Sequence, residues 1–350
     1  METTTRPSVA RRALRILGKV VLWGVATVCV LLAGVAGWAR VAHARDATRW
    51  KAPGRLVEVE SGRRLHLYCT GQGSPTVVLE AGLGDFSVNS WRSVQPTISG
   101  FTRACSYDRA GTGWSDPGRA LPMPTQMVED LHALLGAAGE TGPFLLAGHS
   151  LGGPIVRHYA GHYPAEVAGL VLVDGSHEDQ ITRLTEMPKW ADLVMKVIPV
   201  VHALGVDRLA AGAGAPAGDT LAALAAAVST SDKMMANTAL LSNMLPSWFA
   251  EVKRDAKPFG DLPLTALTAG RMSVPGIDTA AARRTHDEWV KMHQEIVARS
   301  TRGKWILADK SQHFIQNDQP DLVIGAIREM VDSLRARAAA TPPAAPRPGA

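Results

Sequence analysis

The residues Gly148-His149-Ser150-Leu151-Gly152 carry the clearest chemical potential in this chain. They follow the apolar run Phe144-Leu145-Leu146-Ala147 and precede Gly153-Pro154-Ile155-Val156, which reads as the start of a helix. A strand, a Gly-x-Ser-x-Gly turn and a helix together make a nucleophile elbow, whose serine sits at the tip of a turn tight enough to strain its backbone. Glycines flank it because a Cβ there would strike the neighbouring strand or helix. Ser150 is therefore the candidate nucleophile. A serine hydroxyl attacks poorly at neutral pH, so it needs a general base, and the base needs an orienting carboxylate.

Elements that could position such a set run the length of the chain. Leu56-Val57-Glu58-Val59-Glu60 and Leu65-His66-Leu67-Tyr68 alternate like half-exposed strands joined at Ser61-Gly62-Arg63. Thr76-Val77-Val78-Leu79 and Leu170-Val171-Leu172-Val173 are continuous apolar runs, the pattern of strands buried on both faces. Thr102 to Tyr107, Leu264 to Ala269 and Trp305 to Ala308 are further strand candidates, and Thr125 to Ala138 and Asp321 to Arg335 read as helices. This alternation predicts an α/β domain over 55–337, with a mainly parallel sheet, helices on both faces and an antiparallel opening hairpin. Between Gly175 and Pro263 the alternation stops for too long to be a plain loop, which predicts a helical cap over 176–262. Its Met187, Trp190, Met195, Met234, Met235, Met244, Trp248 and Phe249 are candidate liners of an apolar pocket. Residues 338–350 are Pro/Ala-rich and expected to be disordered.

With this strand order the chain resembles the α/β-hydrolase family over about residues 55–335. Four motifs carry the resemblance in order. They are Glu80-Ala81-Gly82-Leu83-Gly84 after the third strand, Tyr107-Asp108-Arg109-Ala110-Gly111-Thr112-Gly113-Trp114-Ser115-Asp116 after the fourth, the elbow after the fifth, and Ser311-Gln312-His313-Phe314 after the last. The resemblance implies an eight-stranded sheet and a catalytic order of Ser, carboxylate, His. His313 then stands as the base, with Gln312 in place of the usual small residue. Two carboxylates compete to orient it. Asp174 ends the sixth strand, 24 residues after Ser150, a position some relatives use. Asp278 follows the seventh strand, where most relatives carry the acid, although Ser273 occupies the commonest place. Asp174 is preferred and Asp278 is the alternative. The N–H of Leu151, and by resemblance that of Leu83, would hold the oxyanion.

Other residues in these motifs read as structural. The loop from Asp108 to Asp116 lacks the lysine and spacing of a phosphate loop and reads as a brace beside the site. His149 should pack or bond locally, His177 could touch substrate at the cap entrance, and His286 and His293 should be solvated on a charge-rich helix. The implied strand order 1-2-4-3-5-6-7-8 makes Cys69 and Cys105 neighbours, either as a disulfide in an oxidising compartment or as two buried thiols.

Composition bounds the remaining possibilities. The chain has 350 residues, 46% hydrophobic and 20% charged, and a formal net charge of +5. Nine Lys/Arg against two Asp/Glu lie in residues 1–51, leaving 28 against 30 in the rest, so the main domain offers no electrostatic case for nucleic acid. The basic segment 1–19 precedes Val20 to Ala39, 20 uncharged residues able to span a bilayer core as a helix. Trp23 and Trp38 sit near its ends, and 40–54 reads as a linker. The expectation is a single-pass anchor with a cytoplasmic N-terminus and an extracytoplasmic main domain. A secretory signal cleaved near Ala42-His43-Ala44 is the alternative. There is no His-Glu-x-x-His, no Cys-x-x-Cys and no dinucleotide fingerprint, so no metal or other cofactor is expected. Together the residues and the resemblance imply a serine hydrolase cleaving lipophilic carboxylic esters through an acyl-enzyme, with a small-molecule ester or lipid-like substrate. An aminopeptidase, a cofactor-free peroxidase or a non-catalytic ligand-binding protein of the same fold are the alternatives.

Overall fold

The continuous apolar runs become strands buried at every position in β3 (Val77–Glu80), β5 (Phe144–His149) and β7 (Leu264–Ala269), and at all but one in β6 (Val167–Val173). With β1 (Arg55–Glu60), β2 (Arg63–Thr70), β4 (Ala104–Tyr107) and β8 (Gly303–Ala308) they form one sheet, ordered β1-β2-β4-β3-β5-β6-β7-β8. The β1–β2 and β2–β4 pairs are antiparallel and all others parallel, so the opening hairpin is the antiparallel edge expected of it. The computed structural model describes residues 9–60, 62–118, 121–185, 190–214, 220–272 and 278–340.

The described helices are α1 (Val9–Arg49), α2 (Ser87–Trp91), α3 (Gln95–Ile98), α4 (Pro124–Ala137), α5 (Gly152–His162), α6 (Gln180–Arg183), α7 (Trp190–Ala203), α8 (Val206–Gly214), α9 (Thr220–Ser229), α10 (Asp232–Arg254), α11 (Thr279–Ala298), α12 (Ile315–Asp318) and α13 (Pro320–Ala340). Strand side chains alternate between two cores, as a period of two demands. Val78, Leu146, Leu170 and Leu172 enter one core with Leu131 and Leu134 of α4 and Ile155 and Tyr159 of α5. Val77, Leu145, Val171 and Val173 enter the other with Trp91, Ile98 and Val323, Ile327 and Val331 of α13. Each such fully buried side chain contributes roughly 2 kcal/mol, and the sheet held between the two layers becomes a rigid platform.

Cys69 lies opposite Cys105 in the β2–β4 register, and the two form a disulfide. Of the two alternatives for this pair, the structure contains the bond. It spans a sequence separation of 36, a loop whose closure is worth about 3–4 kcal/mol in the chain-entropy model.

The chain divides into two compact units, Met1–Lys51 with Val197–Thr230, and Ala52–Lys196 with Ser231–Ala350. The segment expected as one cap is thus shared between them. Helix α1 is also longer than the 20-residue span: it continues through residues 40–49, where a linker was expected. Within it, the apolar segment Ala13–Asp46 contains an 18-residue window of mean hydropathy 2.3 and has enough length to cross a membrane. At the other end α13 continues to Ala340, and residues 341–350 of the expected tail lie outside the described residues.

Candidate active site

Strand β5 ends at His149 and α5 starts at Gly152, so Ser150 and Leu151 make the whole turn. Ser150 has φ +52° and Asp174 has φ +45°, the two non-glycine residues in the left-handed region among those described. That conformation costs an L-residue about 1–2 kcal/mol, and both are pinned into it. Ser150 N–H donates to Val173 O at 3.2 Å, and its carbonyl accepts from Gly153 and Ser176 N–H at 2.9 and 2.8 Å. Asp174 N–H donates to Leu267 O at 2.8 Å. The glycines around the turn are needed for close approach. A Cβ on Gly152 would lie 2.6 Å from the Glu80 carbonyl oxygen, and one on Gly153 would lie 2.8 Å from Gly175 Cα.

Ser150, Asp174 and His313 follow the carboxyl ends of β5, β6 and β8, where sites form in sheets of this kind. His313 Nε2 is 2.9 Å from Ser150 Oγ, and His313 Nδ1 is 2.7 Å from Asp174 Oδ2. An ionised carboxylate only accepts, so Nδ1 carries the hydrogen and Nε2 turns its lone pair to the serine hydroxyl. Asp174 Oδ1 accepts from Ala269 N–H at 2.9 Å and from Trp289 Nε1–H at 2.8 Å. Burial would raise the Asp174 carboxyl, but the His313 hydrogen bond, the neighbouring His293 and His313, and the Ala269 N–H together hold it below its ordinary value. Asp278 is not brought to His313. It is the N-cap of α11, accepting from Ala280 and Ala281 N–H at 2.8 Å each.

His149 bonds locally, as expected, and its partner is the general-base candidate's own backbone. Burial first, then the neighbouring His313, lowers its pKa to about 3. The ring is therefore neutral, and its Nε2–H donates to His313 O at 3.0 Å. Phe314 packs on the same ring, with centroids 5.1 Å apart. The loop carrying His313 is thus fastened to the elbow.

The loop after β3 approaches the serine directly: a Cβ on Gly82 would lie 3.2 Å from Ser150 Cβ. Arg109 donates to Ala81 O at 2.7 Å, to Gly82 O at 2.6 Å and to the Glu80 carboxylate. In a trans peptide the C=O and N–H point opposite ways. Holding Gly82 O therefore turns the Leu83 N–H away from Arg109. The Leu83 and Leu151 N–H groups have no hydrogen-bond partner among the described residues. Asp108 braces the adjoining loop by accepting from His66 Nδ1, Ser87 N–H and Trp114 N–H at 2.8–2.9 Å.

A cavity of about 290 Å³ opens on Ser150, Asp174 and His313. Leu184, Met272, Trp289 and Ala269 give it apolar walls, and Ser176, Gln180, Arg271 and Gln312 give it polar ones. Of the apolar liners expected from the cap, Met234, Met235, Met244, Trp248 and Phe249 are not among them. Trp248 and Phe249 are buried in the core with α4 and α5, Met234 is fully buried, and Met187 and the side chains of Trp190 and Met195 lie outside the described residues. A larger cavity, about 520 Å³, lies at the start of β6 and before β7 and contains none of the three site residues.

Three histidine expectations are corrected. His293 is buried, with Nδ1 2.6 Å from Thr268 Oγ1 and Nε2 2.7 Å from Gly175 O. His286 Nε2 bonds Ala269 O at 2.8 Å. Both sit on the inner face of α11, which packs on β7 and β8 and aims Trp289 at Asp174. His177 is buried and accepts from Asp179 N–H at 3.0 Å through Nδ1, away from the cavity lining. The sequence reading missed Trp289, because only the tertiary docking of α11 makes it a partner of Asp174. It also missed that His158, His162 and Asp255 converge, each offering a ligand atom within 4.8 Å of the others. Both Asp255 oxygens are already bonded by Arg254 at 2.9 Å.

Comparison with known proteins agrees with this architecture. The model of the alpha/beta hydrolase fold matches residues 75–318, more than half of the chain. The chain belongs to the α/β-hydrolase family. It is 28% identical to the uncharacterized protein YqjL of Bacillus subtilis over 261 residues, covering 74% of this chain and 85% of that one. It is 32% identical to a pyrrolizixenacetamide deacetylase of Xenorhabdus hominickii over 145 residues, which cover 40% of this chain and only 52% of the relative. Among solved structures, a putative lipase from Acinetobacter baumannii superposes with a TM-score of 0.55 at 17% identity, over 87% of this chain and 97% of that one.

Proposed function

We propose that this chain is a membrane-anchored serine hydrolase that cleaves carboxylic esters through an acyl-enzyme. The observation that carries the reading is the continuous relay Ser150 Oγ, His313, Asp174, with links of 2.9 and 2.7 Å, opening on a 290 Å³ cavity. His313 Nε2 takes the proton as Ser150 Oγ attacks the ester carbonyl. Asp174 stays ionised, fixes the Nδ1–H tautomer and stabilises the imidazolium. The Leu83 and Leu151 N–H groups bind the oxyanion, each worth roughly 3 kcal/mol in the transition state. Collapse expels the alcohol, which leaves with the proton from Nε2. Water then repeats the sequence on the acyl-Ser150 ester and releases the acid.

The apolar wall of Leu184, Met272 and Trp289 favours a lipophilic acyl group. The deacetylase, among relatives at low coverage, also acts on an acyl bond by its name. Anchoring is favoured over signal cleavage by the helix itself. Cleavage near Ala44 would cut α1 within its last two turns and separate Ala39 and His43 from Asp46, and all three have partners in their compact unit.

The test is labelling of the full chain, in lipid nanodiscs, with a fluorophosphonate probe, followed by hydrolysis of p-nitrophenyl esters of graded acyl length. Labelling of wild type and none of Ser150→Ala, with a rate maximum at medium or long acyl chains, is expected. An unlabelled wild type, or equal labelling of Ser150→Ala, would return the chain to a non-catalytic binding role.

A further inference from the structure

The N-terminal helix does more than thread a bilayer. From Leu32 onward, one face of α1 is covered: Leu32, Val35, Ala36, Ala39, Ala42, His43 and Asp46 are buried or half-buried, at the spacing of a single helical stripe. Its partners inside the same compact unit are α8 and α9. Gly205 lets the α7–α8 turn approach closely, since a Cβ there would strike Ala39 Cβ and come within 3.1 Å of Val35 O. His202 stacks on His43 with centroids 5.7 Å apart, and Arg208 pairs with Asp46.

This packing begins inside the apolar run. Residues 32–39 are the last eight of the uncharged stretch, and as helix they occupy about 12 Å, more than a third of a bilayer core of about 30 Å. Gly205, packed against Val35 and Ala39, lies at acyl-chain depth, while His202 and Arg208 meet His43 and Asp46 just beyond the run, toward the headgroups. The unit is equipped for that boundary. Val197 and Val200 of α7, Val206 and Leu209 of α8, and Leu221 of α9 are all exposed, the middle three at 57%, 40% and 51%. Five large apolar side chains on one small helical unit are costly in water and favourable in lipid. Just beyond the apolar run, Arg40, Arg45 and Arg49 are exposed at headgroup level, the charge expected opposite anionic phospholipids.

We infer that residues 197–229 and the outer half of α1 form one lipid-embedded platform, seated at the boundary of acyl chains and headgroups in the leaflet on the C-terminal side of the span. Its occupant is the bilayer itself. The inference rests on reading α1 as a membrane anchor, and it adds a second lipid-facing contact beside the span.

Depth of fluorescent labels tests it, using the full chain in vesicles of phosphatidylcholine and phosphatidylglycerol with a nitroxide-labelled lipid as quencher. The native free thiol Cys29, exposed on α1, takes an NBD label that reports the span. In a Cys29→Ser background, Leu209→Cys reports the platform, and an NBD–glutathione adduct free in the buffer is the aqueous reference. NBD at 209 is expected to be blue-shifted against that reference and quenched at least about twofold by the nitroxide lipid. Quenching at 29 with none at 209 overturns the platform and leaves the anchor standing. No quenching at 29 overturns the anchor and the platform with it. Leu221→Cys gives a second reading should Leu209→Cys fail to fold, as judged by fluorophosphonate labelling.

Discussion

Asp174 and Asp278 separate cleanly in their partners, and this sets their expected effects apart. Asp174→Asn keeps the geometry but loses the acceptor that fixes the His313 tautomer, so kcat should fall by about 10³–10⁴-fold. Asp278→Ala removes an N-cap, costing about 1 kcal/mol of stability, with kcat unchanged. Ester hydrolysis and thermal melts of both variants check this; a collapse of kcat in Asp278→Ala would reverse the assignment. The strain at Ser150 is separately measurable. Glycine normally destabilises relative to alanine, but at φ +52° the order inverts, so Ser150→Gly should be more stable than Ser150→Ala by about 1 kcal/mol. An equal or lower melting temperature for the glycine variant would mean that the turn carries no such strain.

At the scale of elements, the loop after β3, which carries the proposed oxyanion donor Leu83, is held by a residue of another loop. Arg109→Met frees the carbonyls of Ala81 and Gly82 and so loosens the Leu83 N–H. The expected result is a fall in kcat of about 10–100-fold with KM little changed, in line with partial loss of one oxyanion donor. The variant also strands the buried Glu80, whose carboxyl burial already pushes up against the pull of Arg109, a loss of about 3–5 kcal/mol. The double variant Glu80→Gln/Arg109→Met should recover stability but not kcat, whereas recovery of both would reduce Arg109 to a structural ion pair. The elbow and its neighbours were legible in the sequence because each depends on local order. A strand end, a turn and a helix start lie within ten residues, Asp174 directly follows β6, and His313 stands five residues after β8. Trp289, His293 and the cavity walls were not legible. They depend on how α11 docks, and a helix with Arg, Glu and Lys on one face looks solvated when its buried face cannot be weighed. Trp248 and Phe249 were misread as pocket liners for a related reason. A Met- and Trp-rich helix has the same composition whether it fills a core or walls a cavity.

For the whole molecule, several buried histidines set the acid limit. Burial, the largest cause in each case, lowers His149 to about 3 and His158 and His177 to about 4. Unfolded histidines take up protons near pH 6.5, so between about pH 6.5 and 4 the unfolded chain binds more protons than the folded one. Stability therefore falls as pH drops through that window, each histidine adding a slope of up to about 1.4 kcal/mol per pH unit. Asp174, with its pKa depressed, stabilises above the unfolded carboxylate range near 4 and adds a further loss only below it. Denaturant midpoints across pH should be flat above 7 and fall from about pH 6.5 downward; a flat profile to pH 5 would show that these rings are protonated in the folded state. The Cys69–Cys105 bond has a different kind of consequence. Glutathione keeps cytosolic thiols reduced, whereas exported chains oxidise. With α1 read as an anchor, as proposed above, the pair would record which side of the membrane a given molecule reached. Blocking free thiols in intact cells, then counting blocked cysteines by mass, would separate delivered molecules, which carry one, from retained ones, which carry three. Exchanging the charges that flank α1 and repeating the count would read out orientation from the native chain, with no fused reporter.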